Sequence, residues 1–115
     1  MIVHIVLFQP RRDLAAADQR ALIDAFTTAL REIPSIRRAR VGRRQTLGAG
    51  YEARMRVDYQ YAALLEFDDP AGLKAYLEHP AHQQLGQRFS GAFEHALMYD
   101  FELRDGEGPT ALLPD

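Results

Sequence analysis

The sequence contains no cysteine, which removes thiolate catalysis, disulfide bonds and cysteine-held metals from consideration. It also lacks a strong charge of either sign. A formal net charge of −2 over 115 residues argues against a protein built mainly to grip nucleic acid or an anionic membrane. No apolar run is long enough to span a bilayer; the run Ile2 to Phe8 falls far short of that length. The same run has no basic lead and ends at Pro10-Arg11-Arg12 without a small-residue cleavage site, so it does not read as an export signal. The expectation is a soluble, cytoplasmic protein. Ser35 and Ser90 have no matched acid and base around them, which leaves no serine triad. Gly48-x-Gly50 lacks the strand, loop and helix context of a phosphate-binding loop.

What the chain does contain is a regular alternation of apolar patterns within one domain's length. Residues 2–9 are dense in Ile, Val and Phe, interrupted only by His4, and predict a strand covered on both faces. Leu22, Phe26, Ala29, Leu30 and Ile33 mark the core stripe of a long helix that stops before Pro34. Residues 35–45 predict an arginine-rich edge strand, and 46–57 a loop. A third strand follows at 58–67, with Tyr59, Tyr61, Ala63, Leu65 and Phe67 on one face and Ala62 and Leu64 on the other. Asp69-Pro70 is a helix-start signal, and Leu73, Tyr76 and Leu77 form the buried side of a short helix. Pro80 restarts a second helix over roughly 81–94, and 96–103 make the last strand. The order β-α-β-β-α-β predicts an α+β, ferredoxin-like domain over residues 1–103 with an antiparallel sheet. Residues 104–115 read as a C-terminal tail, frayed or docked on a partner. Helices cover only one face of such a sheet, yet the strands are apolar on both. A homodimer with its two sheets facing each other is therefore expected.

The richest chemistry lies in Tyr76-Leu77-Glu78-His79-Pro80-Ala81-His82. His82, Leu85, Gly86, Phe89 and Phe93 share one helix face, so an imidazole sits on an apolar stripe a few residues from a phenol. Imidazole changes charge near neutral pH, which makes His82 a candidate acid or base. The alternative is a histidine that hydrogen-bonds within the core and fixes helix to sheet. His79 and His82 have a spacing that two ligands of one metal can take, but Pro80 intervenes and no third ligand is suitably spaced, so no metal site is assigned. His79, preceding proline, is expected to point outward or to cap the helix. Arg37, Arg38, Arg40, Arg43 and Arg44 have no interleaved aromatics for base stacking, and read as a solvated edge or as intersubunit pairs. Tyr61 reads as a packing residue, or as the lining of a small-molecule cavity should the interior be unfilled.

Val3-His4-Ile5-Val6-Leu7-Phe8, Ile33-Pro34, Val41-Gly42, Asp58-Tyr59, Leu64-Leu65-Glu66-Phe67, the Tyr76–His82 segment and Asp100-Phe101 occur in an order that resembles the stress-responsive dimeric α/β-barrel (Dabb) family across about residues 1–103. The resemblance implies a homodimer whose two ferredoxin-like sheets close into a barrel. Within the family, the chain partially resembles olivetolic acid cyclase, a cofactor-free polyketide cyclase. That likeness implies His82 as catalytic base, Tyr76 as its assistant, and a substrate pocket lined by His4, with Tyr61 where the cyclase has a histidine. Phe89 joins the substrate-binding set from the same helix face. Two functions follow as expectations. One is a cofactor-independent cyclase, lyase or isomerase; the other is a non-catalytic dimeric module for ligand binding or stress tolerance.

Overall fold

The computed structural model describes residues 1–114; Asp115, the end of the expected tail, lies outside the described residues. Strand β1 spans Ile2–Pro10, helix α1 Ala16–Glu32, β2 Arg38–Arg43, β3 Tyr61–Phe67, α2 Pro70–Glu78, α3 Pro80–Ala92 and β4 Phe93–Glu102. The four strands form one antiparallel sheet in the order β2-β3-β1-β4. This is the α+β, ferredoxin-like arrangement that the apolar patterns predict.

Alternation along the strands divides the sheet into two faces. Ile2, His4, Val6 and Phe8 face the helices, and pair in register with Phe67, Leu65, Ala63 and Tyr61 of β3. Phe67 and Leu65 are fully buried there, in a core completed by Ala29 and Ile33 of α1, Tyr76 of α2, and Ala81 and Leu85 of α3. Val3, Ile5 and Leu7 point to the opposite face, which no helix covers. Leu97, Tyr99 and Phe101 lie exposed on β4, and Leu103 just beyond its end.

Several boundaries differ from expectation. The third strand begins at Tyr61 rather than residue 58, so Tyr59 precedes the sheet. The second is shorter, Arg38–Arg43, and β4 starts earlier, at Phe93, directly where α3 ends. Within the loop at 46–57, Gly50–Arg54 makes a 3₁₀ turn, held by the Glu52 carboxylate accepting from the Leu47 and Gly48 amides. Leu30 and Leu77 were expected in the core but are exposed. On α1, Ala25 takes the place given to Leu30, because Leu22, Phe26, Ala29 and Ile33 fix the buried stripe and Leu30 falls at its margin. On α2, Leu73 and Tyr76 take the core side, leaving Leu77 exposed.

Both α2 and α3 start at an X-Pro pair whose first residue caps the helix. Asp69 Oδ1 accepts from the Gly72 amide at 2.9 Å, and His79 Nδ1 accepts from the Ala81 amide at 3.0 Å. Each side chain satisfies an amide that the first turn leaves without an intrahelical partner. Asp69→Ala should therefore lower the unfolding free energy by about 0.5–2 kcal/mol in chemical denaturation, with Asp69→Asn recovering most of it.

In the tail, Gly108–Leu112 form a short 3₁₀ turn, with Leu112 and Leu113 exposed. Truncation after Leu103 should leave the thermal midpoint and the solution mass of the assembly almost unchanged. A fall in either would mean that these leucines dock on the domain or on a partner.

Candidate functional site

The break between α2 and α3 at 78–80 determines where the group lies. His79 caps α3 and Pro80 occupies its first position, so His82 falls in the first turn, beside the last turn of α2. There its ring meets Tyr76 edge-on, with centroids 4.6 Å apart. Tyr76 is only 4% exposed; on its other sides it touches Phe67 at 5.3 Å and His4 at 5.8 Å between ring centroids. His4, 6% exposed, is the buried polar residue of β1, and its Nδ1 lies 2.6 Å from Oδ1 of Asp100 on the neighbouring strand. A carboxylate at that distance accepts a hydrogen bond from Nδ1–H and fixes the orientation of the ring. Asp100, His4, Tyr76 and His82 thus form one continuous chain of contacts from the exposed edge of the sheet to the start of α3.

The electrostatics suit proton transfer. Burial lowers the pKa of His82 below the ordinary histidine value; the Leu77 carbonyl, accepting from the ring, works against this, and the nearby His4 works with it. His82 is therefore a neutral base at neutral pH. Burial also pushes the Tyr76 phenol up to about 12, so its hydroxyl remains a donor.

Tyr61 and Phe89 lie elsewhere. Tyr61 stacks on Phe8 at 5.6 Å, and Phe89 meets Phe8 at 5.9 Å and Phe93 at 4.3 Å. The structure thus joins His4, Tyr76 and His82, and assigns Tyr61 and Phe89 to a separate aromatic cluster around Phe8. His79 is committed to its cap. Among the described residues, no three His, Asp or Glu side chains stand together as a metal site would require.

The Dabb model, describing a stress-responsive A/B barrel domain, matches residues 2–103. The chain belongs to the Dabb family. Solved structures similar to this Dabb protein include a dimeric ferredoxin-like protein of unknown function from Bacteroides fragilis, at 26% identity and TM-score 0.62, covering 89% of this chain and 95% of that one. A hydroxynitrile lyase from Passiflora edulis matches at 15% identity and TM-score 0.72, covering 90% and 94%. SnoaB, a cofactor-independent oxygenase from Streptomyces nogalater, matches at 13% identity and TM-score 0.66, covering 93% and 96%. The last two likenesses concern the fold. No curated protein matches the chain.

Asp100 is the member of the group that sequence reasoning did not single out as a site residue. It stands 96 residues from His4, and only the β1–β4 register brings the two opposite one another. The clefts on this Dabb protein include two beside α3. One, of about 780 Å³, lies between α1 and α3 and is lined by Asp24, Thr28, Gln84 and Arg88 among others. The other, of about 320 Å³, lies where Arg11 and Asp13 approach the end of α3. Neither is lined by His4, Tyr76 or His82. No helix among the described residues is long and apolar enough to cross a membrane.

Proposed function

We propose that this Dabb protein is a homodimeric, cofactor-independent enzyme that moves a proton on a small carbonyl compound, as a cyclase, lyase or isomerase does. The observation that carries this reading is the juxtaposition of a neutral imidazole, His82, with a protonated phenol, Tyr76, at 4.6 Å between ring centroids. Removing a proton beside a carbonyl requires a base for the carbon acid and a donor for the developing enolate oxygen. His82 is the base and Tyr76 the donor. His4, its ring held by Asp100, orients the phenol from the opposite side. The dimer is supported by the bare apolar face of the sheet and by dimeric relatives of the same fold.

Proton exchange tests the chemistry without knowledge of the natural substrate. A panel of small methyl ketones in D₂O, followed by NMR, should show protein-dependent deuterium uptake at the carbon beside the carbonyl. Uptake no faster than in buffer across the panel would count against a carbon-acid base at this site.

The position of the clefts favours a second reading. Both border α3 away from His82, as expected if His82, Tyr76 and His4 simply fasten helices to sheet in a ligand-binding or stress-tolerance module. In that case the panel shows no uptake, and ligands perturb the NMR signals of Gln84, Gln87 or Arg88 instead.

A further inference from the structure

The net charge of −2, which by itself argues against an anionic membrane, conceals a sharp separation. Residues 37–56 hold seven of the fourteen cationic side chains and one of the sixteen acidic ones, so this stretch stands at +6 and the remainder at −8. Three of its arginines meet a carboxylate: Arg37 at Asp68, Arg40 at Glu66 and Arg44 at Asp58. Arg43, Arg54 and Arg56 are exposed and make no ion pair among the described residues.

The loop that carries the last two of these cations is folded. It leaves β2 after Arg43 and rejoins the sheet at Tyr61, and across its neck the Arg44 amide donates to the Gln60 carbonyl at 2.8 Å. The Arg44 guanidinium closes the neck a second time, on Asp58 at 2.6 Å. Within the loop, Gly48 takes a φ of +78°, a conformation that glycine adopts without steric cost, where the Leu47 and Gly48 amides meet the Glu52 carboxylate. Close ends and internal hydrogen bonds make this a compact Ω-loop beyond the end of the sheet. Its large apolar side chains point outward: Leu47 is 87% exposed, Tyr51 68% and Met55 54%. The loop thus fixes apolar tips among unpaired cations before any ligand arrives, which lowers the ordering cost of binding.

We propose that this loop docks the protein on an anionic lipid surface, with Arg43, Arg54 and Arg56 at the headgroup phosphates and Leu47, Tyr51 and Met55 entering the interface. Leu47 protrudes almost fully, which suits a layer that deforms around it better than a protein partner that must supply a matching recess. Leu47 and Met55 are also unable to stack on a base, so the tips suit acyl chains better than a nucleic acid. Tyrosine and arginine have an apolar body and a polar end, the form that sits well at such a boundary. The acidic remainder of the chain is repelled by the same surface, so the loop end faces it. Such docking is separate from the His82 chemistry.

The chain has no tryptophan, so Leu47→Trp places a single fluorophore at the tip. Vesicles of phosphatidylcholine with about one third phosphatidylglycerol should shift its emission to the blue, and should bind the parent protein at least about tenfold more tightly than phosphatidylcholine alone in cosedimentation. Replacing Arg54 and Arg56 together by glutamine should weaken that binding about ten- to thirtyfold, since each cation near such a surface contributes about a factor of five. Leu47→Ser should weaken it about five- to tenfold at unchanged charge. These side chains are exposed, so circular dichroism and solution mass should stay those of the parent. Emission unmoved by anionic vesicles, or cosedimentation no stronger than with phosphatidylcholine alone, would overturn the proposal. So would tighter binding of oligothymidylate or polyglutamate than of the vesicles, lost with the same two arginines. If Leu47→Ser changes the mass of the assembly, the loop belongs to a subunit contact and the proposal falls.

Discussion

Replacing His82 by glutamine is expected to lower turnover of a responsive ketone about 10²–10⁴-fold, while the unfolding free energy changes by less than about 1 kcal/mol. Glutamine retains a donor for the Leu77 carbonyl and most of the ring's volume beside Tyr76, but it cannot accept a proton at neutral pH. Alanine removes the donor as well, and should cost about 1–3 kcal/mol of stability on top of the same loss of rate. Tyr76→Phe keeps the packing against Phe67 and deletes only the hydroxyl, so a rate loss there identifies the phenol as the enolate partner. The pH dependence carries a defined sign. His82 has a lower pKa folded than unfolded, so the unfolded chain takes up the proton first as pH falls. Stability from this group is present above the ordinary histidine value near 6.5 and is lost as pH drops from there to the folded value. Urea midpoints at pH 7.5 and pH 5 should show a larger acid loss for the parent than for His82→Gln. The acid limb of the parent's rate should likewise fall below pH 6.5. Equal acid losses in parent and variant, with unchanged rates, would make His82 a structural residue.

The group's local half is legible in the primary structure. Asp69-Pro70 and His79-Pro80 announce two helix starts, and the spacing from Tyr76 to His82 then brings phenol and imidazole together across the break. These signals act within a single turn, where one residue's conformation restricts the next. His4 is legible as an oddity in an apolar strand. Its carboxylate partner is not, because the match with Asp100 depends on a strand register set by the whole sheet. The same limit applies to Tyr61 and Phe89. Their apolar patterning places Tyr61 on the helix-facing side of β3 and Phe89 on the sheet-facing side of α3, but patterning carries no information about which end of the layer they occupy. Phe8, two strand positions past Val6, draws them into its own cluster away from the imidazoles. Arg38 and Arg40 read as a charged edge from composition. Only register shows that they share rows with Phe101 and Tyr99.

A single carboxylate at the centre of the bare face is expected to convert the dimer to a folded monomer. Ile5 stands in the middle row between Leu64 and Tyr99 on the face that no helix covers, so Ile5→Asp leaves the core beneath the helices intact. In a dimer, two-fold symmetry introduces the charge twice into one apolar layer, and no cation at that position can pair with it. An uncompensated buried charge of this kind costs about 3–5 kcal/mol, so the dimer should weaken by about two to four powers of ten. In the monomer the same carboxylate is hydrated and costs little. Sedimentation should therefore show a single-chain mass at micromolar concentration, with a far-ultraviolet spectrum like that of the parent. Ile5→Leu, which keeps the apolar contact, should remain dimeric. If Ile5→Asp stays dimeric, the two copies meet through another surface and the open face is not the interface. If it unfolds instead, then the monomer depends on its partner for stability, and the exposed β4 aromatics explain why: no single-chain element shields Tyr99 and Phe101 from water.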